Sequence, residues 1–222
     1  MTSYSGSVEQ GGAPEVRDLG AVTIAKRSVG EMDNNAYLLT DTSTGRQLLV
    51  DAAQDGPLLL SWVDTSALDV VVTTHRHHDH IGALADVAKA ASARLASGRA
   101  DADAIEEVTG VTIDDRLADG DRLRFGDSAV TAITLVGHTP GSVTLAFIDG
   151  DGRTHLFTGD SLFPGGVGRT AGPSEFASLL GDVTAKLFDV FPDDSWVYPG
   201  HGADTTLGAE RPELADWKAR GW

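Results

Sequence analysis

A cluster of histidines directly after an apolar run constrains this chain more than any other feature. Residues 73–82 read TTHRHHDHIG and follow three consecutive valines at 70–72. A short β-branched run is typical of a buried strand, so the histidines are predicted to lie in the loop at its carboxyl end, the usual place for chemistry in open α/β sheets. Because histidine is a common zinc ligand, the H-x-H-x-D-H order predicts a metal site. Its candidate ligands are His75, His77, Asp79 and His80.

The composition excludes several classes of protein. The chain has 222 residues, and we expect a single domain over residues 1–222. Its formal charge of −16 repels phosphate backbones and anionic lipid surfaces, which argues against nucleic-acid and membrane partners. There is no cysteine, so any metal must be held by nitrogen and oxygen ligands.

The N-terminus gives no sign of targeting or anchoring. Residues 1–14 contain neither the basic patch nor the apolar run of a secretory signal, and they are predicted to be a disordered tail. No segment approaches the roughly 20 apolar residues that a membrane crossing needs. A cytoplasmic location is therefore expected.

Apolar periodicity predicts strands in two groups, with helices following each group. Strands are expected at 19–29, at 70–72 and in a hairpin formed by 35–40 and 47–51. Further strands are expected on both sides of turns at 126–127 and 149–152, and again at 195–198. Helices are predicted at 57–67, 81–90, 100–108, from Ser174 to Pro192, and at 212–219. This pattern indicates an α/β protein with sheets inside and helices outside.

Three further segments place a metal-ligating residue type beside a glycine, just after an apolar strand. The residues are His138, Asp160 and His201. Glycine allows the tight turns and close backbone approach that a crowded metal site needs. Taken singly each signal is weak, because one histidine after a strand is more often a structural hydrogen-bonding group.

Taken together with the histidine cluster, these segments resemble the metallo-β-lactamase superfamily over residues 19–202. The order of the motifs carries the resemblance. It implies a four-layer αββα sandwich with two metal ions at one edge between the sheets. The resemblance implies one ion bound by His75, His77 and His138, a second bound by Asp79, His80 and His201, and Asp160 bridging both.

The resemblance also suggests roles for residues around the ligands. Asp51 matches the family's first motif and would accept a hydrogen bond that orients a ligand. The alternative for Asp51 is an aspartate that caps the end of a strand. His78 falls at a variable position, so it is expected to face solvent or lie behind a ligand. His155 belongs to no motif and is interpreted as a strand histidine.

Two divalent ions at such a site would lower the pKa of a shared water toward about 7 and polarise a carbonyl oxygen. The resemblance therefore implies a dinuclear metal-dependent hydrolase that uses a metal-bridging hydroxide. Asp79 would orient the nucleophile or pass its proton onward. Zinc is the expected metal, with iron or manganese as alternatives, because imidazole and carboxylate ligands accept all three.

The residues after Asp160 narrow the activity. A bridging aspartate argues against true β-lactamases, and residues 159–170, GDSLFPGGVGRT, resemble glyoxalase II-like hydrolases and the related persulfide dioxygenases. Arg169 would bind an anionic part of the substrate, or alternatively lock its loop through backbone carbonyls.

Only about twenty of the 222 residues follow His201, so the helical domain that supplies glutathione contacts in full-length glyoxalase II is expected to be absent. A small-molecule thioester or related carboxylic ester is the predicted substrate class.

Three alternative functions stay open from the sequence. A persulfide dioxygenase would hold one iron at His75, His138 and Asp160, but the aspartate expected directly after residues 168–170 is missing, which favours the hydrolase. A lactonase is the second alternative. A non-catalytic metal-dependent binding module is the third, although degenerate members usually lose ligands and none is lost here. The sequence predicts no particular oligomeric state.

Overall fold

The computed structural model describes residues 4–221, and the N-terminal half of the chain forms its first sheet. The strands lie in chain order: β1 (Glu15–Asp18), β2 (Val22–Val29), β3 (Asn34–Asp41), β4 (Gln47–Val50), β5 (Leu68–Thr73), β6 (Arg94–Gly98) and β7 (Asp115–Leu117). Pairing is antiparallel from β1 to β4 and parallel from β4 to β7. The carboxyl ends of β4 and β5 therefore point to the same edge of the sheet.

The C-terminal half forms a second sheet and a small hairpin. The second sheet contains β8 (Arg122–Phe125), β9 (Ser128–Thr134), β10 (Val143–Ile148), β11 (Thr154–Gly159), β14 (Trp196–Pro199) and β15 (Thr205–Thr206). Its spatial order is β15-β14-β11-β10-β9-β8, and only the β11–β14 pair is parallel. The separate hairpin consists of β12 (Leu162–Phe163) and β13 (Gly166–Val167).

Helices cover the outer face of each sheet. Those on the first sheet are α1 (Gly56–Trp62), α2 (His78–Ile81), α3 (Leu84–Ala90) and α4 (Ala102–Thr109). Those on the second sheet are α5 (Pro173–Val183) with a π-helical extension (Thr184–Phe188), then α6 (Leu207–Glu210), a 3-10 turn (Arg211–Glu213) and α7 (Leu214–Arg220). The order helix, sheet, sheet, helix confirms the predicted αββα sandwich. None of the helices in the described part of the chain has the length and apolar character needed to cross a membrane.

The two-residue period of the strands explains how the layers pack. In β5, Val70 and Val72 face the second sheet, whereas Val71 faces the helices. In β4, Leu48 faces the second sheet and Leu49 faces the helices. Because both faces of these strands are covered, they consist of continuous apolar runs rather than alternating ones.

Segments with strong patterns fold where they are predicted, and segments with weak patterns account for the differences. The predicted hairpin is formed by β3 and β4, and the two predicted turns connect β8 to β9 and β10 to β11. The predicted helix at 57–67 ends at Trp62, because Val63 is already extended. The helix predicted at 81–90 is divided into α2 and α3. Strands β1, β6 and β7 are not predicted at all.

Residues 4–14 are predicted as part of a disordered tail, and this prediction is wrong for them, because the segment packs against β14 at Tyr4 and against β2 at Gln10. Tyr4 Oη donates to Asp204 Oδ2 at 2.6 Å, and Gln10 pairs with Ser28 of β2. Lys26, whose side chain is fully buried, gives the physical reason: its ammonium needs acceptors, and the carbonyl oxygen of Gly6 supplies one at 2.8 Å. Positions 1–3 of the predicted tail lie outside the described residues.

Candidate metal centre

The seven candidate ligands meet at one edge of the sandwich. Four different loops bring them there, each beginning where a strand ends. The loop after β5 and helix α2 carry His75, His77, Asp79 and His80, and the loops after β9, β11 and β14 carry His138, Asp160 and His201. Two backbone hydrogen bonds join the sheets beside the site, from Val143 N to Thr74 O at 2.9 Å and from Asn35 N to Gly200 O at 2.7 Å. The ligand residue types are therefore adjacent in space although far apart in sequence.

Three imidazoles form the first ligand group. His75 Nε2 lies 3.0 Å from His77 Nδ1 and 3.2 Å from His138 Nε2. Nitrogen atoms facing one another at this distance can share one tetrahedral metal ion. This is the set that the resemblance implies for the first ion.

The second group contains two imidazoles and a carboxylate. His201 Nε2 lies 3.2 Å from both His80 Nε2 and Asp79 Oδ2. Asp160 stands between the two groups, with Oδ1 at 3.3 Å from His80 Nε2 and Oδ2 at 3.6 Å from His138 Nε2. One carboxylate thus reaches both groups, as a bridging ligand would.

Backbone and carboxylate acceptors hold the outer nitrogens of the histidines. In the tautomer that protonates Nδ1, the His80 ring donates a hydrogen bond to Asp51 Oδ2 at 2.8 Å. In the same tautomer, His138 Nδ1 donates to the carbonyl oxygen of Arg169 at 2.6 Å, and His201 Nδ1 donates to the carbonyl oxygen of Met32 at 2.8 Å. This tautomer leaves the Nε2 lone pair of each ring pointing into the site, which is the arrangement typical of metal-binding histidines.

Asp51 supports two of the ligands at once. Besides His80, it accepts hydrogen bonds from Thr74 N at 2.7 Å and from Thr74 Oγ1 at 2.8 Å, and Thr74 Oγ1 lies 3.1 Å from His75 Nδ1. A proton on His75 Nδ1 can therefore be donated to the Thr74 hydroxyl, which donates in turn to Asp51. Asp51 also has a left-handed backbone, with φ of 58°, at the turn after β4. It combines the ligand-orienting contact with the strand-end position that were proposed as alternatives.

The electrostatics of the site favour a cation. Burial, reinforced by the neighbouring His80, lowers the pKa of His75 well below its ordinary value, so its imidazole is neutral. Burial also acts against ionisation of Asp160, but the imidazoles of His201 and His80 outweigh it and hold the pKa of that carboxyl below its ordinary value. For His80, the negative charges of Asp51 and Asp160 overcome burial and raise the pKa to about 10. A field that stabilises an imidazolium also stabilises a bound metal ion.

Two glycines allow the close approach. A Cβ on Gly200 would lie 2.2 Å from Asp160 Oδ1 and 2.7 Å from His80 Cε1. A Cβ on Gly159 would lie 2.5 Å from Thr74 Oγ1, and the backbone at Gly159 has a positive φ of 49°. No other residue type fits these two positions without displacing a ligand or its support.

The donor set matches divalent metal ions in number, type and direction. Imidazole nitrogens and carboxylate oxygens converge, and His75, His80 and Asp160 form a third compact group that joins the other two. Asp160 Oδ1 is buried and, among the described residues, accepts no hydrogen bond, although His80 Nε2 lies close to it. A buried carboxylate oxygen needs a partner, and a cation supplies one.

The remaining residues singled out from the sequence lie outside the ligand groups. The side chain of His78 is 81% exposed. His155 is buried in β11 and contacts Tyr198 Oη and Asp149, away from the site. The side chain of Arg169 is exposed, and no hydrogen bond or ion pair of its guanidinium is found within residues 4–221. Its backbone carbonyl, rather than its side chain, contacts the candidate ligand His138.

Sequence reasoning missed three contributors. They are Thr74, the carbonyl group of Met32, and Asn34, whose Nδ2 donates to Asp79 Oδ2 at 3.0 Å. Asn34 and Met32 lie in or beside the turn between β2 and β3, far from any histidine in sequence. Thr74 lies inside the histidine cluster, and its position next to His75 is the one sequence feature that could have indicated its supporting role.

The chain belongs to the metallo-β-lactamase superfamily, whose family model matches residues 29–207. Within that superfamily it is similar to proteins named hydroxyacylglutathione hydrolase. The one from Cereibacter sphaeroides is 35% identical over 170 residues, which cover 76% of this chain and 62% of that relative. The one from Synechocystis sp. is 34% identical over 183 residues, or 79% of this chain and 66% of that relative. The chain thus matches about three fifths of the length of the first of these relatives.

Solved structures share the fold. The crystal structure of ETHE1 from Myxococcus xanthus is 26% identical, with a TM-score of 0.71 and coverage of 87% of this chain and 84% of that one. The structure of TTHA1623 in a di-iron-bound form is 30% identical, with a TM-score of 0.64 and coverage of 84% and 96%. The superfamily and the convergent donor groups together imply that the chain binds divalent metal ions.

Proposed function

We propose that this chain is a dinuclear metal-dependent hydrolase that acts on a thioester or a related carboxylic ester. The single observation that carries the proposal is the position of Asp160, whose oxygens lie 3.3 Å from His80 Nε2 and 3.6 Å from His138 Nε2. A carboxylate between two ligand groups can contact two neighbouring ions at once, as in a two-metal site. The similarity to proteins named hydroxyacylglutathione hydrolase supports the substrate class.

The proposed ligands follow the two groups. One ion would be held by His75, His77 and His138, the other by Asp79, His80 and His201, and Asp160 would contact both. Bound divalent ions would lower the pKa of the attacking water and polarise the substrate carbonyl. We propose zinc as the metal, and the di-iron-bound form of TTHA1623 is a reason to test iron beside zinc and manganese.

Asp79 is the proposed proton-handling group. Burial raises the cost of its charge, but the hydrogen bond from Asn34 and the neighbouring His80 lower the pKa of Asp79 below its ordinary value. Asp79 Oδ2 also lies 3.2 Å from His201 Nε2, so the carboxylate is fixed in direction. An ionised carboxylate fixed in this way can orient the attacking water, and because its pKa is low it would pass a proton from that water onward rather than hold it.

Arg169 is the proposed contact for an anionic part of the substrate. Its exposed guanidinium carries a full positive charge, and its own backbone carbonyl is tied to His138 at 2.6 Å. The cation therefore stands on a loop that is fixed to the site. In a chain with a formal charge of −16, such a local cation would offset the repulsion of an anionic substrate.

The test is a substrate panel on the metal-loaded protein. Thioesters of several thiol carriers, lactones, β-lactams and persulfides are compared, with Asp160→Asn and His80→Ala as loss-of-ligand variants. The proposal expects thioester or ester hydrolysis that falls more than about 100-fold in both variants. Hydrolysis at the wild-type rate in Asp160→Asn, or no hydrolysis of any member of the panel, would refute it.

A persulfide dioxygenase is the second candidate, and the geometry of three residues favours it. His75, His138 and Asp160 form a compact set with 3.2 Å between the two Nε2 atoms and 3.6 Å from His138 Nε2 to Asp160 Oδ2. Two imidazoles and one carboxylate are the ligand set of many non-haem iron oxygenases. One tightly held iron per chain, together with oxygen uptake on glutathione persulfide and no ester hydrolysis, would select this function.

A further inference from the structure

A fully buried carboxylate, Asp101, lies between two ligand loops without belonging to either ligand group. Asp101 precedes α4, and its side chain makes no hydrogen bond to the amino end of that helix. A buried charge is costly unless other groups compensate it. The partners of this carboxylate therefore indicate what it does.

The first partner loop carries His75 and His77. The backbone N–H of Arg76, the residue between these two histidines, donates to Asp101 Oδ2 at 3.1 Å. Arg76 Nε also lies 3.7 Å from Asp101 Oδ1, with the arginine side chain 42% exposed. The carboxylate thus holds this loop at a point one residue from each of two ligands.

The second partner loop carries His138 and comes from the other sheet. Thr139 Oγ1 donates to Asp101 Oδ2 at 2.5 Å, and Gly141 N donates to Asp101 Oδ1 at 3.0 Å. Thr139 directly follows His138 in the chain. Asp101 Oδ2 therefore accepts from both loops at once and fixes the distance between them.

The packing around the carboxylate leaves no room for adjustment. A Cβ on Gly141 would lie 2.4 Å from Asp101 N, and a Cβ on Gly98 would lie 1.9 Å from the Gly141 carbonyl oxygen. Asp101 N also donates to the carbonyl oxygen of Gly98 at 3.0 Å. The end of β6 and the His138 loop are in direct backbone contact, so the carboxylate is held rigidly.

We propose that Asp101 is a positioning residue for the ion bound by His75, His77 and His138, and that it governs the affinity of that ion but not of the other. The inference rests on the proposed two-metal site. The second group depends on different supports, because Asp51 holds His80 while Asn34 and the Met32 carbonyl hold Asp79 and His201. Loss of Asp101 therefore weakens one site selectively.

The test is zinc binding by Asp101→Asn, measured by competition with a chelator of graded strength. The near-isosteric amide keeps the volume but has only one acceptor oxygen, so its NH₂ group faces either the donor from Gly141 or the two donors from Arg76 and Thr139. We expect one of the two zinc ions to bind 10- to 100-fold more weakly and the other to bind as in the wild type, as found when groups supporting a ligand are changed. Long-range ¹H–¹⁵N spectra of the imidazoles identify which of the two ions is weakened. We expect the signals of His138 to change and those of His201 to stay as in the wild type.

Two controls make the result specific. Asp103→Asn changes a carboxylate on the same helix that is 85% exposed and paired with Arg116, and it is expected to bind both ions as the wild type does. Thr139→Val removes one hydrogen-bond donor to Asp101, and it replaces Asp101→Asn as the test variant if Asp101→Asn does not fold. Ser142→Ala is its partner control, because it removes the contacts of Ser142 Oγ with Thr139 Oγ1 and Thr139 N without altering Asp101. Thr139→Val is expected to weaken the same ion, and Ser142→Ala to leave it in place.

Unchanged affinity for both ions in folded Asp101→Asn would overturn the proposal, and so would equal weakening of both. If Asp101→Asn is unfolded, wild-type binding by Thr139→Val, or identical weakening in Ser142→Ala, overturns it. A wild-type chain that binds fewer than two zinc ions would instead refute the two-metal function on which the proposal rests.

Discussion

At the residue scale, the site depends on the absence of a side chain at Gly200 as much as on its ligands. A Cβ atom added to Gly200 would lie 2.2 Å from Asp160 Oδ1 and 2.7 Å from His80 Cε1. Any side chain at this position would therefore displace both residues. Both neighbours are candidate ligands, and Asp51 holds the His80 ring from behind at 2.8 Å, so they cannot move aside cheaply. A methyl group at this position should therefore damage metal binding more than folding.

Gly200→Ala is expected to lower zinc affinity more than 10-fold and to destabilise the fold by about 1–3 kcal/mol through overpacking. Titration with zinc and urea unfolding of the metal-free protein measure the two effects.

The matched control is Gly181→Ala on α5, where an added Cβ meets nothing within 4 Å. It should stabilise the fold by up to about 1 kcal/mol, because alanine is the better helix former, and leave zinc binding unchanged. Wild-type zinc affinity in Gly200→Ala would contradict the packing described for the site.

At the scale of elements, the sequence predicts those whose patterns are local. The buried valines of β5 and the alternating hairpin of β3 and β4 carry their own signals, and the ligand residues follow strands in the order of a known family. β6 is different, because its residues Ala96, Ser97 and Gly98 are small and owe their burial to their neighbours. Asn34 and Asp101 likewise gain their roles only when loops from distant parts of the chain meet.

The N-terminal segment is the clearest case of an element set by tertiary contacts. Its residues look polar and unstructured, yet Gly6 and Tyr4 contact the fully buried pair of Lys26 and Asp204, whose Nζ and Oδ1 atoms are 2.6 Å apart. Burial lowers the pKa of Lys26, and burial raises that of Asp204, so each charge needs the other. The segment covers this pair and completes its set of hydrogen bonds.

Asp204→Ala leaves the Lys26 ammonium buried without its counter-charge. The free energy of unfolding is expected to fall by about 3–5 kcal/mol, the usual cost of removing one member of a buried pair. Denaturant unfolding measures it, with Asp193→Ala as the control because Asp193 pairs with Arg211 at 67% exposure. A loss below 1 kcal/mol would show that the pair is hydrated, and the segment would not be held as described.

At the scale of the whole molecule, the two sheets are joined at both ends of β3, by different chemistry. β3 begins beside the metal site at Asn34 and ends at Asp41, whose Oδ2 accepts a hydrogen bond from Ser128 Oγ of the second sheet at 2.6 Å. Asp41 Oδ1 accepts further bonds from Ser43 and Thr44. The metal end is thus rich in imidazoles, while the opposite end depends on carboxylates: Asp41, and Asp69 of β5, whose Oδ2 accepts a hydrogen bond from Gly126 N at 3.0 Å.

The Asp41 link makes stability depend on pH. Burial opposes ionisation, but the hydrogen bonds from Ser128, Ser43 and Thr44 outweigh it and hold the pKa of Asp41 below its ordinary value. The folded state thus binds the proton less readily than the unfolded state does, so the stabilisation is complete above the unfolded pKa of about 3.9 and is lost as pH falls toward the folded pKa. Unfolding of the wild type and Asp41→Asn should therefore differ most near neutral pH and converge in acid. A difference that grows on acidification would contradict the link.

Two groups of ligands, joined by Asp160, are proposed to bind two metal ions. Elemental analysis of the zinc-loaded, dialysed protein tests this claim most directly, alongside His138→Ala from one group and His201→Ala from the other. Two ions per chain are expected in the wild type and one in each variant, because each variant lacks a ligand of only one ion. One ion per chain in the wild type, or loss of all metal from both variants, would contradict the claim.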